Sequence, residues 1–185
     1  MSLVGKKYAQ ALFEVAKEED KVDAYYQQMT MINGQLKENE DFFEILLLPS
    51  VEVKEKKEML RKVFEPTLDR EILQFLILLL DKRRFIDFEL IYLEFKTLFL
   101  EENKQLEATI VSVLPLEEKE INQLKKNLES RYQKTITIEN KIDPALIGGV
   151  VVYVGEQVID GSVKRKLTTM RNELREVRLQ QLGVN

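Results

Sequence analysis

Cysteine and histidine are both missing from this chain of 185 residues. Without cysteine, the chain has no disulfide framework and no thiolate nucleophile. Without histidine, it lacks the side chain that most often acts as a general base or binds a metal ion. Catalysis would have to depend on carboxylates, lysine, tyrosine or hydroxyl groups. We therefore expect no cofactor and no metal site.

Long apolar runs and a strong charge imbalance are missing as well. The densest apolar segment, residues 72–80, is interrupted by Gln74 and is much shorter than the roughly 18 residues that cross a bilayer. No signal peptide or Arg-rich transit segment precedes Tyr8. The net charge of −4 argues mildly against a nucleic-acid binder. These absences predict a chain without a membrane span, in the cytosol or at the cytosolic face of a membrane.

Residues 1–104 have the apolar spacing of amphipathic helices throughout. The pattern predicts six helices joined by short loops, which is typical of a compact bundle. Prolines are expected to end helices, and short polar side chains are expected to cap their starts. On this basis we place helix ends at Pro49 and Pro66. Helix starts are placed at Asp20, at Ser50 and at Thr67 or Asp69.

The pattern changes after Leu106. Alternating apolar and polar residues in 108–113 and 135–142 predict two strands, and residues 121–132 predict an amphipathic helix between them. A hairpin and a final helix capped by Ser162 follow. The fold class predicted is mainly α: a six-helix bundle at residues 1–105, then a small α+β domain at residues 106–185. The apolar positions of the final helix are expected to face inward, namely Val163, Leu167, Met170, Leu174 and Val177.

The helix predicted at residues 69–82 is apolar on almost every side. Leu78 lies outside its two main apolar faces, one turn after Gln74. Such a helix is either central in its domain or covered by a partner, and both interpretations stay open here. The first helix also has more apolar residues than a core needs. Its second stripe consists of Tyr8, Ala11 and Val15.

Two glycine-containing segments bracket the predicted hairpin. Gly148-Gly149 is interpreted as a turn or a point of close backbone packing, because glycine permits positive φ and close packing. A phosphate-binding loop is rejected, since no Gly-Lys-Ser/Thr ending follows. Asp160-Gly161-Ser162 is interpreted as a turn followed by a helix cap. No base, nucleophile or metal cluster accompanies Asp160, so a carboxylate-based hydrolase has almost no support.

The final helix is rich in cations, which permits three interpretations. They are a solvated face, a contact with an acidic partner helix, and a contact with nucleic acid. The helix has no aromatic residue, which disfavours nucleic acid. The mixed-sign run at residues 54–58 predicts ordinary solvated surface. The basic residues of the final helix are Lys164, Arg165, Lys166, Arg171, Arg175 and Arg178.

Two segments resemble one known family. The family is that of the delta subunit of F-type ATP synthase. Its first helix is resembled by residues 7–16, KYAQALFEVA, and its C-terminal signature is resembled by residues 147–163, IGGVVVYVGEQVIDGSV. This family includes the mitochondrial oligomycin-sensitivity-conferring protein, and the layout is similar over the whole chain. Two departures affect the C-terminal surface: Tyr153 replaces a frequent basic residue, and residues 164–166 replace a common Arg-Gly-Lys.

The resemblance implies a non-catalytic stator subunit of the proton-driven synthase. The bundle would bind N-terminal helices of alpha subunits, and the second domain would contact peripheral-stalk b subunits. One copy would serve each complex, peripheral on the cytoplasmic face of a bacterial cell membrane. The alternative is a small nucleic-acid-binding protein that uses its basic C-terminal helix. The implied alpha-helix groove consists of Tyr8, Ala11, Val15, Gln74 and Leu78, and the implied architectural signature consists of Gly148, Gly149, Asp160, Gly161 and Ser162.

Overall fold

The computed structural model describes residues 3–155 and 157–181, with side chains up to residue 172. The chain is mainly helical with a small four-stranded sheet, as predicted. It divides into two compact units, Met1–Asn103 and Lys104–Asn185. Within the described residues, no helix combines the length and the apolar character that crossing a membrane requires.

The described part of the first unit contains six α-helices and one 3-10 turn. Helix α6 packs mainly on α1 and α2, while α4 packs on α5. The elements are α1 (Leu3–Glu18), α2 (Val22–Glu38), α3 (Glu40–Leu47), α4 (Val53–Phe64), α5 (Arg70–Asp81), the 3-10 turn (Phe85–Asp87) and α6 (Phe88–Glu102).

Large aromatic and aliphatic side chains fill the core of the first unit. Phe13 of α1 meets Phe95 of α6 edge to face, with ring centroids 5.5 Å apart. Burial of one such side chain contributes about 1.5–3 kcal/mol. Helices with apolar residues three and four positions apart can all turn one side toward this core. The largest fully buried side chains include Tyr25, Met29, Phe64, Phe85 and Phe88.

Two of the predicted helix caps are wrong. Asp20 lies in the turn after α1 with a φ of 56°, and Lys21 is the residue that precedes α2. Ser50 lies two residues before Glu52, which precedes α4. Asp69 does precede α5, as predicted, but its carboxylate accepts a hydrogen bond from Lys21 Nζ at 3.0 Å and does not cap the helix. Asp69 therefore forms an ion pair with Lys21, which is distant in sequence, instead of a hydrogen bond that caps its own helix.

The described part of the second unit combines a four-stranded sheet with two helices. The strand order is β2-β1-β3-β4, with β1 and β2 parallel and the other neighbours antiparallel. Parallel strands need a long crossover, and α7 provides it between β1 and β2. The elements are β1 (Gln105–Ser112), α7 (Glu118–Tyr132), β2 (Thr135–Ile142), β3 (Val150–Val154), β4 (Gln157–Asp160) and α8 (Val163–Gln181).

The expectation that the apolar face of α8 points inward is wrong for its described residues. Leu167 is 57% exposed and Met170 is 58% exposed, and Val163 is also exposed. The described core of this unit is built from the sheet and α7 and does not include these side chains. The side chains of Leu174 and Val177 lie outside the described part of the chain.

The glycines around the hairpin bring β3 and the start of α8 very close together. Gly149 has a φ of +80°, and a Cβ atom there would lie 2.5 Å from the carbonyl oxygen of Gly161. Two backbone bonds connect the same segments: Gly161 N donates to Val150 O, and Val163 N donates to Gly148 O, both at 2.9 Å. Only glycine fits this conformation and this space at position 149.

We predict that Gly149→Ala lowers the free energy of unfolding by at least about 3 kcal/mol, because a strained φ is combined with a backbone clash. Gly155→Ala is the matched control. Gly155 also has a positive φ, 55°, but nothing lies within 4 Å of its added Cβ. The Gly155→Ala control should lower the free energy of unfolding by only about 1–2 kcal/mol. Hydrogen exchange of the β3 amides measures both variants, and equal losses of protection would contradict the prediction.

Candidate partner-binding surface

A ring contact links α1 to α5. Tyr8 is half-buried, and its ring centroid lies 6.4 Å from that of Phe75 at an interplanar angle of 67°. Ala11 and Val15 follow Tyr8 at helical spacing on α1. On α5, Gln74 immediately precedes Phe75 and Leu78 follows one turn later. The predicted groove residues thus lie on two neighbouring helices that Tyr8 joins.

The first unit leaves this surface uncovered. Val15 is 38% exposed and Leu78 is 42% exposed, and both Ala11 and Gln74 are exposed as well. Within residues 3–155 and 157–181, no hydrogen bond is formed by the side chain of Gln74. The surface therefore has apolar side chains and one free amide that a partner helix can contact.

Helix α5 is a core helix in the structure. Two of its apolar faces are buried, which agrees with the central-helix interpretation. Leu78 is the apolar residue of α5 that remains well exposed, so the partner interpretation applies to that one side of the helix. The buried positions are Ile72, Leu73, Phe75, Leu76, Leu79 and Leu80.

An exposed apolar stripe that was not predicted leads into α6. Ile86, Leu90 and Leu93 are all exposed and follow one another at spacings of four and three residues. That spacing was a usable signal. It was hidden by the stronger pattern of Phe88, Ile91 and the aromatic residues that follow, which fill the core.

Lys56 was also missed. The prediction of solvated surface at residues 54–58 is wrong at this position, since Lys56 is only 7% exposed. Its Nζ donates a hydrogen bond to the carbonyl oxygen of Leu48 at 2.6 Å. Lys56, Leu60 and Phe64 are spaced four residues apart and share the buried side of α4. This spacing was the signal that could have found it.

The second unit also has uncovered apolar side chains next to cations. Leu167 and Met170 are exposed on α8, as are the basic side chains of Lys164, Lys166 and Arg171. A strip of this composition fits an amphipathic helix with acidic flanks. Of the predicted basic residues, Arg165 is also exposed, while the side chains of Arg175 and Arg178 lie outside the described part.

Asp160 and Ser162 join the hairpin to α8. Asp160 Oδ1 accepts a hydrogen bond from Ser162 N at 2.9 Å, and Ser162 Oγ accepts one from Arg165 N at 3.2 Å. The second bond confirms Ser162 as the cap of α8. Hydrogen bonds from the side chain and backbone of Ser162 lower the pKa of Asp160 below its ordinary value of 3.8. The carboxylate stabilises a turn, and none of its described contacts is catalytic.

Comparison with known proteins matches residues 4–174 to the family described as ATP synthase delta (OSCP) subunit. This chain belongs to that family. An ATP synthase subunit delta from Alkaliphilus metalliredigens is 37% identical over 175 residues, covering 95% of this chain and 97% of the relative. The subunit delta of Clostridioides difficile is 33% identical over 178 residues, covering 96% and 98%.

A solved structure supports the fold of the delta (OSCP) family member. A chain in the cryo-EM structure of the Toxoplasma gondii mitochondrial ATP synthase hexamer matches with a TM-score of 0.77 at 21% identity, covering 94% of this chain and 98% of that chain. The family resemblance seen in the sequence is confirmed, and so is the prediction of a non-catalytic subunit. The nucleic-acid-binding alternative finds no support in these relatives.

We predict that Ser162→Ala destabilises the protein by about 1 kcal/mol, because it removes the cap of α8. It also removes the hydroxyl contact to Asp160, so the pKa of Asp160 should rise toward 3.8. In the native protein the charged carboxylate contributes stability above its unfolded pKa, and this contribution is lost as the pH falls through the lower folded pKa. The acid-side decline in stability should therefore be shallower in the variant. Carboxyl NMR titration and urea unfolding at several pH values measure these effects.

Ser130→Ala is the control for the cap, since Ser130 is an exposed residue inside α7. It should change stability by no more than about 0.5 kcal/mol. An unchanged pKa of Asp160 in Ser162→Ala would contradict the assignment of the shift.

Proposed function

We propose that this delta (OSCP) family member is a stator subunit, which links the catalytic head of ATP synthase to the peripheral stalk. Held in this way, the head does not turn with the rotor, and proton-driven rotation is coupled to ATP synthesis. Family membership over residues 4–174 is the observation that carries the proposal. A linker of this kind needs two separate binding surfaces and no chemistry of its own.

The first surface is the α1–α5 groove of residues 1–105, and its partner is an N-terminal helix of an alpha subunit. Tyr8, Val15 and Leu78 supply apolar contact area, and Gln74 supplies an amide. Burial of apolar area contributes roughly 25 cal/mol per Å² before the cost of ordering the partner. Small Ala11 allows a helix to come close to α1. Such contacts favour slow dissociation, which a mechanical link requires.

The second surface is α8 in residues 106–185, and its partner is the end of the b subunits. Leu167 and Met170 offer an apolar strip, and the neighbouring cations offer charge complementarity to an acidic helix. The glycine pair and Asp160-Gly161-Ser162 have an architectural role here, because they fix where α8 begins. One copy per complex is expected, held peripherally on the cytoplasmic face of a bacterial membrane through these partners.

Leu78→Glu tests the first surface. Because Leu78 is exposed, the melting temperature should change little, whereas a buried charge at the interface should abolish binding of a peptide with the N-terminal sequence of alpha. The milder Leu78→Ala should cost about 2 kcal/mol, or roughly thirtyfold in affinity. Calorimetric titration of the peptide measures both variants.

Val63→Glu is the matched control for this groove, since Val63 is exposed to a similar extent on α4. It should bind the peptide as the native chain does. If Leu78→Glu binds with unchanged affinity, the groove has been assigned to the wrong place.

Leu167→Glu tests the second surface. The charge should weaken binding of a peptide from the carboxyl-terminal end of b at least tenfold, because it interrupts the apolar strip of α8. Thr169→Glu adds the same charge on another side of α8 and should have little effect. Fluorescence anisotropy with a labelled peptide gives both affinities. Equal losses in the two variants would show that net charge, and not this strip, determines binding.

A pull-down from solubilised membranes separates the two surfaces. The native chain should capture both the alpha and the b subunits. The Leu78→Glu variant should lose its direct contact with alpha. The Leu167→Glu variant should lose its direct contact with b. If the native chain captures neither of them, the stator proposal is overturned.

A further inference from the structure

A cavity of about 330 Å³ lies in the first unit between the ends of α3, α4 and α5. Most of its lining is apolar and includes Leu46, Leu80 and Phe85, which are buried, and Ile86, which is exposed. The remaining lining residues are two cations, Lys56 and Arg83. None of the lining residues belongs to the α1–α5 groove or to α8, so this cavity is not part of the stator surfaces.

Lys56 lines this cavity and is only 7% exposed as a residue, and its ammonium group has no carboxylate partner in the part of the chain that the structure describes. It donates one hydrogen bond, to the carbonyl oxygen of Leu48, which follows α3. The same carbonyl also accepts a longer backbone hydrogen bond from Val51 N, at 3.4 Å, so Lys56 adds a second donor to the end of α3. An ammonium group has three N–H donors, and its charge is costly to bury when it is not paired with an anion.

No ion pair within residues 3–155 and 157–181 includes Lys56 or Arg83. The acidic residues on either side of Arg83 have other partners. Asp81 Oδ1 lies 2.6 Å from Lys57 Nζ, and Asp87 Oδ2 lies 3.4 Å from Arg84 Nη1. The cavity is therefore positively charged at one side and apolar elsewhere.

Such a cavity fits an anion with an apolar body. A small inorganic anion would leave the apolar wall empty, and a neutral hydrocarbon would leave Lys56 unpaired. The volume is at the lower end of the range for small-molecule sites, which is about 300–1,000 Å³. A complete phospholipid is too large for it. We propose that this cavity binds a medium-chain fatty acid, with the carboxylate at Lys56 Nζ and the alkyl chain along Leu46, Leu80 and Phe85.

Octanoate is the probe, titrated into the full-length chain and followed by amide chemical shifts around α4. Saturable binding at one site is expected, and octanol should bind at least tenfold more weakly because it has no charge to pair with Lys56. This comparison needs no substitution. Equal affinity for octanoate and octanol, or uptake that does not saturate, would overturn the proposal.

Lys56→Gln removes the charge while keeping an N–H donor for the Leu48 carbonyl. It should weaken octanoate binding at least tenfold and leave octanol binding within twofold. Lys57→Gln is the matched control on the same helix and should bind octanoate as the native chain does. If both variants lose affinity equally, Lys56 is not the anion contact. Tighter binding of an acetylated dipeptide ending in leucine would assign the cavity to a peptide C-terminus and overturn the fatty-acid proposal.

Discussion

Each helix of the first unit can turn only part of its circumference toward a shared core, and this limit decides which apolar side chains stay at the surface. On α1, Leu12 and Ala16 are buried, while Val15 is not. On α5, two apolar faces are buried and Leu78 remains outside. Because side chains at i, i+3 and i+4 share a face, the excess residues also line up with one another. Exposed apolar residues that are aligned in this way form a surface that another helix can cover.

The second unit depends on a different constraint, the close approach of two backbone segments at the hairpin. The positive φ of Gly149 and the short distance to Gly161 fix the point where the chain leaves the sheet. Asp160 and Ser162 then fix the first turn of α8 through hydrogen bonds. Since the core of this unit does not hold the described apolar face of α8, these local contacts at its start determine where that face is presented.

Periodicity predicted most of the architecture, because local spacing determines which side of an element is apolar. The helical character of residues 1–104 and the strands after Leu106 both follow from it. Caps were harder to predict. Asp20 and Ser50 have suitable side chains but lie in turns, and an ion pair of Asp69 with Lys21 reaches across the fold. The sequence contains no local signal for such a contact.

The parallel pairing of β1 and β2 is likewise a long-range property that alternation does not reveal. The candidate surfaces were predicted only in part. Val15 and Leu78 exceed what a core needs and are exposed as expected, whereas Tyr8 is half-buried against Phe75. The apolar residues of α8 were assigned inward, since spacing alone does not distinguish a core from a partner. Lys56 was missed because a lysine inside a charged run is usually solvated.

The two edges of the sheet have a consequence for how the protein behaves at high concentration. On one edge, β4 has only four residues, Gln157–Asp160, before the chain turns into α8. On the other edge, β2 has the charged side chains of Glu139 and Lys141 near its end, before the exposed Ile142. Short and charged edge strands are poor templates for an incoming strand. These features disfavour extension of the sheet by further copies of the chain.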